Sequence, residues 1–125
     1  MFITRKELIR VPLVSSTGEQ VYELIGSSPQ HGGATRHSLA YVVIPPGSSS
    51  THHFHSVGEE TYYILKGQGK LLVNEQVRIV SPGDAILISP TDSHQIFTEG
   101  DAVLEFVVLS APPWTPKDSI PIEKE

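Results

Sequence analysis

Short runs rich in Val, Ile, Leu, Tyr and Thr recur through the middle of this chain, and turn-forming residues, chiefly glycine and proline, separate them. The runs fall at 21–26, 38–44, 50–54, 60–65, 70–73, 77–80, 85–88, 94–98 and 102–109, and their composition is that of β-strands. Between them stand turn signals such as Pro45-Pro46-Gly47, Lys66-Gly67-Gln68-Gly69, Asn74-Glu75, Ser81-Pro82-Gly83-Asp84 and Glu99-Gly100-Asp101. Parallel strands need crossovers of about a dozen residues, usually helical. No linker in this region has that length or a 3.6-residue period. The pattern therefore predicts an all-β, antiparallel barrel or sandwich, and 125 residues suit one domain spanning 1–125.

Outside the strand-rich region the chain carries three other features. Thr4 followed by Glu7 fits a capping box and predicts a helical turn over 4–9. Residues 26–36 hold Ser27, Ser28, Pro29, His31, Gly32 and Gly33, and are expected to form a long irregular loop, able to fold over a barrel mouth. The proline-rich tail, 111–125, contains the only tryptophan, Trp114, which is expected to pin the tail across the barrel.

Composition removes several function classes. The chain has no cysteine, which excludes disulfides and cysteine nucleophiles, and restricts any metal to nitrogen and oxygen ligands. Its formal charge is −5 without a basic cluster, so neither nucleic acid nor an anionic membrane surface is an expected partner. No run approaches the ~18 apolar residues of a membrane helix, and the amino terminus lacks a signal-peptide core; the expected location is cytoplasmic. A nucleophile elbow and a glycine-rich phosphate cradle are also missing.

The chemistry concentrates around His53 and His55. Strand side chains alternate faces, so the two imidazoles point the same way, ~7 Å apart at the backbone, within reach of one ion. Six histidines in this length give roughly 0.3 such pairs by chance, so the pair alone proves little. Glu60 adds weight: it follows a loop containing Gly58, and a hairpin there would fold it back beside the histidines. Glu60, Tyr62 and Ile64 share a strand face that is otherwise apolar, where an unpaired carboxylate is costly. Two imidazoles around a dication would pair it. A bulge would instead turn Glu59 inward, and His52 offers an alternative register.

Gly47, His53, His55, Glu60 and Gly67 match every element of the first motif of the cupin superfamily, and the sequence resembles that family over about 38–109. In the second motif Gly83 and His94 keep the family's separation. Pro90 comes one position late, Thr91 replaces a glycine, and Thr98 replaces an asparagine. The resemblance implies a double-stranded β-helix, or jelly-roll barrel, with one divalent transition metal (Mn, Fe, Ni or Zn) held by His53, His55, Glu60 and His94. It further implies open coordination positions, as in a catalyst.

The expected function is thus that of a metal-dependent enzyme acting on a small polar metabolite. The family-implied classes are a dioxygenase and a sugar isomerase, the latter because the chain looks like small cupins related to mannose-6-phosphate isomerase. A non-catalytic module binding a sugar or other metabolite is the rival reading. Tyr62 is either a substrate contact or a core aromatic, and no acid or base is assigned. His31 and His37 are expected to be ordinary surface residues. Phe54 and Tyr63, facing outward on strands expected to be neighbours, suggest a homodimer.

Overall fold

The computed structural model describes residues 1–123, so the last two residues of the expected 111–125 tail lie outside the described residues. Eleven strands form two antiparallel sheets: β1 (Leu13–Val14), β2 (Gln20–Ile25), β3 (Ser38–Ile44), β4 (His53–His55), β5 (Glu59–Lys66), β6 (Gln68–Val73), β7 (Gln76–Val80), β8 (Ala85–Ile88), β9 (His94–Glu99), β10 (Leu104–Ala111) and β11 (Ser119–Pro121). One sheet runs β1-β2-β3-β10-β5-β8, the other β11-β4-β9-β6-β7. This is the all-β, antiparallel architecture that the strand pattern predicts and the double-stranded β-helix that the family resemblance implies. Strands β3 and β8 have the expected boundaries, and β1 and β11 are additional. Among the described residues no helix is long and apolar enough to cross a membrane.

Alternation builds the interior. Leu104, Phe106 and Val108 of β10 face inward between exposed or half-buried neighbours, and Tyr62 and Ile64 do the same on β5. With Val42, Ile44, Leu71, Ile88 and Ile96 they form the apolar core. Each fully buried Ile, Leu or Phe contributes about 1.5–3 kcal/mol relative to exposure. Toward one end the inward positions become polar: Ser110 of β10 lies opposite both Ser38 of β3 and Glu60 of β5, and in the facing sheet His53 lies opposite His94. The barrel is therefore apolar along most of its length and polar at one end, where the two sheets confront each other.

Several local expectations need correction. The amino-terminal turn is a 3-10 turn over Lys6–Leu8, preceded by Arg5 without a side-chain cap, so the Thr4/Glu7 capping box does not form. Three residues leave too few free amides for such a box to satisfy. No hairpin joins β4 to β5: these strands belong to opposite sheets, and the connection crosses between them. For the same reason Phe54 and Tyr63 are not on neighbouring strands. Phe54 pairs in register with Ile120 of β11, and Tyr63 is exposed on the other sheet.

The loop 26–36 is ordered by its own backbone, with the Gly26 amide donating to the His31 carbonyl and the Ala34 amide to the Gly26 carbonyl. The tail does cross the barrel. After the Trp114 amide donates to Ser38 Oγ at 2.9 Å, the chain makes a 3-10 turn (Pro116–Asp118) and adds β11 to the edge of β4.

Two turns test the backbone directly. Thr91 holds φ +73°, a left-handed conformation that costs an L residue about 1–2 kcal/mol. Thr91→Gly is expected to leave stability unchanged or raise it, because glycine relieves that cost and gives part of it back as unfolded-chain freedom. Gly67 has φ +75°, and a Cβ there would also collide with the Val103 carbonyl. Gly67→Ala is expected to lose at least about 2 kcal/mol in urea denaturation. Wild-type stability in that variant would contradict the backbone described for the β5–β6 turn.

Candidate metal centre

β4 delivers His53 and His55, β5 delivers Glu60 from the opposite sheet, and β9 delivers His94. One donor atom from each of the four lies within 4.8 Å of every other. Glu60 Oε1 is 3.1 Å from His55 Nε2 and 3.3 Å from His94 Nε2. An ion ~2.1 Å from each donor sets adjacent donors ~3 Å apart, so these spacings match ligation of one centre. The cluster is deep: His94 is 0%, His55 4% and Glu60 6% exposed. Glu59 is exposed, which settles the choice between the two glutamates.

Hydrogen bonds at the far side of each ring fix what the near side presents. His53 Nδ1 lies 2.8 Å from the Thr51 carbonyl, His94 Nδ1 2.9 Å from the Asp92 carbonyl, and His55 Nδ1 3.1 Å from the Asp118 carbonyl. A carbonyl can only accept, so each Nδ1 carries its proton and the Nε2 of each neutral ring turns a lone pair outward. Glu60 Oε2 accepts from Ser110 Oγ at 3.0 Å, which leaves Oε1 free. His55 Nε2, His94 Nε2 and Glu60 Oε1 are buried without a hydrogen-bond partner among the described residues. Acceptors facing acceptors in a buried space are costly, and a proton held between His55 and Glu60 or a metal cation among the four donors relieves that cost. The donor set, three imidazole nitrogens and one carboxylate oxygen, could hold a divalent transition metal.

Asp118 supports this arrangement from the tail. Its carboxylate accepts from Ser56 Oγ (2.8 Å), the Val57 amide (3.0 Å) and the Gly58 amide (2.7 Å), while its carbonyl orients His55. The segment linking His55 to Glu60 is thereby clamped, the kind of outer contact that holds ligands in place. Nothing in the sequence marks Asp118 for this role, because its partners lie about sixty residues away and only the β4–β11 pairing brings it there.

A cavity of about 260 Å³ opens beside the cluster, and His53, Tyr62 and Ser110 line it. Its apolar wall includes Val21, Ala40, Val42, Val108 and Trp114, and Glu19 and Glu23 add two carboxylates. Tyr62 is a core aromatic, stacking on Phe106 with ring centres 4.8 Å apart, and it also lines the cavity. Glu19 is a group the strand pattern does not single out. Burial, then the charge of Glu60, pushes its carboxyl up to about 7. His52 faces away from the cluster, toward Asn74, Ser93 and Ile122. His31 lies in a 3-10 turn and His37 just before β3, and neither belongs to the cluster. No residue of 26–36 lines the cavity among the described residues.

The family model of the cupin domain matches residues 40–110, more than half of the chain. The chain is a member of the cupin family. The cupin is 32% identical over 108 residues to an uncharacterized protein of Methanocaldococcus jannaschii, a match covering 86% of this chain and 85% of that one. It is 35% identical over 71 residues to an oxalate-binding protein of Thermotoga maritima, covering 57% of this chain and 59% of the relative, so the match spans less than two thirds of that protein. Among solved structures, a predicted oxalate decarboxylase from Thermotoga maritima superposes with a TM-score of 0.75 at 27% identity, covering 88% of this chain and 98% of the other.

Protons compete with any ion at this site. Burial alone would lower the His55 pKa. Glu60, which accepts from His55 Nε2 once that ring is protonated, and the carbonyl and charge of Asp118 outweigh burial and hold it above the ordinary value. In the metal-free cupin a raised histidine pKa contributes stability that is present below the unfolded-state pKa and lost as pH rises through the folded one. Metal uptake runs the other way, since the ion must displace that proton. Affinity is expected to fall as pH drops through the raised His55 pKa, by up to about ten-fold per pH unit. His53 adds nothing to this slope near neutrality, because burial and the neighbouring His94 push it down to about 4. Calorimetric titration with Mn or Zn between about pH 5 and 8 checks the sign; affinity that is flat or greater in acid contradicts it.

Proposed function

We propose that this cupin is an enzyme that uses one divalent transition metal, held by His53, His55, Glu60 and His94, to act on a small metabolite. The observation carrying this reading is the set of buried, unpartnered lone pairs on His55, Glu60 and His94, next to a cavity that His53 lines. A purely structural ion is sealed by its ligands, whereas a catalytic one keeps a position for a reactant. Here the fourth donor residue borders open space. When bound, the ion would act as a Lewis acid on a ligand oxygen or as a binding point for dioxygen. The chain's own residues would hold the reactant: Tyr62 offers a hydroxyl at the cavity wall, and the apolar residues around it exclude water.

Metal-supplemented expression is expected to yield about one ion per chain by elemental analysis, and less than about 0.2 per chain would oppose the site. His53→Ala and Glu60→Ala are expected to lose the ion. Saturating metal at 100 times the dissociation constant should stabilise the wild type by about 2.7 kcal/mol. A second reading, non-catalytic binding, draws on the relative named an oxalate-binding protein. Screening keto acids, sugars and phenols with oxygen uptake monitored separates the two: turnover supports the enzyme, saturable binding without turnover the binder.

We further propose that two copies pair through the outer face of the six-stranded sheet. Tyr63, Leu87 and Leu109 are 45%, 62% and 45% exposed there, and Leu109, Thr61 and Leu87 lie in one row across β10, β5 and β8. Contiguous apolar surface of this kind marks interfaces. Light scattering at micromolar concentration should give twice the chain mass, and Leu87→Lys should halve it. A monomeric wild type would end this proposal.

A further inference from the structure

The charges around the cavity restrict what can occupy it. Among the described residues no lysine or arginine lines it, while Glu19 and Glu23 do. They alternate with Val21 on one face of β2 and the residue before it, and all three residues line the same space. Glu60, a third carboxylate, lies in the adjoining cluster. A ligand's anionic group would therefore find positive charge only at the ion.

We propose that the cavity takes a small molecule with a largely apolar body that gives an oxygen to the ion at one end and a hydroxyl or ammonium proton to Glu19 at the other. A phosphate or second carboxylate on that molecule is turned away. This deepens the metal-enzyme reading above and rests on it.

Four observations support the assignment. The cavity, at about 260 Å³, lies just under the ~300–1,000 Å³ typical of ligand pockets, the scale of a small metabolite. The surface it presents is predominantly apolar, from Leu, Val, Ala and Trp side chains with four serines and Thr51 among them, which suits a largely apolar body carrying a few polar groups. Glu19 meets only burial and the repulsion of Glu60, with neither a cation nor a hydrogen-bond donor at its carboxylate among the described residues. A ligand proton donor would supply the missing partner. Tyr62 is only 3% exposed yet lines the same space, and its hydroxyl has no hydrogen-bond partner among the described residues. That hydroxyl too has a hydrogen bond to give to a ligand. A phosphorylated sugar, by contrast, would bring two anionic charges and several hydroxyls to a wall without a cation.

The test compares three probes that share a metal-binding hydroxamate: 4-(aminomethyl)-, 4-hydroxy- and 4-carboxybenzohydroxamic acid. Each is titrated calorimetrically into the metal-loaded protein at about pH 8, where an exposed carboxylate or a Glu19 titrating near neutrality is ionised. The aminomethyl and hydroxy probes are expected to bind at least about ten-fold more tightly than the carboxy probe. Glu19→Gln should narrow that gap to within about three-fold at unchanged metal content and Tm, and Glu19→Asp should keep it. Equal wild-type affinity for all three, binding of none, or a gap that survives Glu19→Gln overturns the proposal while leaving the metal reading intact. A chain that takes up no metal overturns both.

Discussion

Everything at the polar end of this barrel answers to one electrostatic problem, the convergence of lone pairs in a buried space. Three backbone carbonyls, from Thr51, Asp92 and Asp118, hold protons on the outer nitrogens of His53, His94 and His55. Ser110 occupies the other oxygen of Glu60. Each contact is ordinary, worth about 0.5–1.5 kcal/mol net. Together they leave the inner atoms of the neutral rings and the carboxylate facing one another with no donor among them. Chains do not place several buried acceptors face to face without compensation, and a cation is the compensation that this donor set fits.

The two-sheet architecture supplies the convergence. Three of the four donor residues lie in the five-stranded sheet and Glu60 in the six-stranded one, so the cluster spans the interior and ties the sheets at one end. Elsewhere the sheets are held by apolar packing and by isolated polar links such as Thr98 Oγ1 donating to the Ile44 carbonyl at 2.7 Å. An ion at the cluster would thus act on fold and chemistry at once. The carboxyl-terminal tail shares in this, since Asp118 clamps residues 56–58 while β11 covers the edge of β4. Covering that edge also removes a row of unpaired amides beside the site, a common device against unwanted strand pairing.

Strand alternation and turn chemistry are local properties, and they were legible. The faces of His53 and His55, the inward turn of Glu60 and the polar-to-apolar gradient along β5 all follow from a period of two. His94 was reachable through the family motif and not through periodicity. What stayed hidden depends on which strands face each other. The crossing from β4 to β5 reads as a hairpin, because a short loop with a glycine suits both connections, and the same misreading made neighbours of Phe54 and Tyr63. Asp118 and Glu19 were missed for a related reason: their partners are distant in the chain, and an acidic residue in a loop or before a strand is indistinguishable from a solvated one until topology places it.

Thr91 shows how the chain tolerates a residue poorly suited to its backbone. The left-handed φ of +73° is one that glycine adopts freely, and a β-branched side chain is among the least suited to it. The conformation persists because the Thr91 amide donates to the His55 carbonyl at 2.7 Å. That bond joins the turn before His94 to the strand that carries the other two imidazoles. Releasing the strain would mean rotating the amide away, which would loosen the approach of β9 to β4 where His53 and His94 lie opposite each other. Strain of about 1–2 kcal/mol can survive where its surroundings overdetermine it. Here those surroundings are the centre itself, so the departure from the family's glycine alters the cost of the turn without altering the geometry that the turn has to deliver.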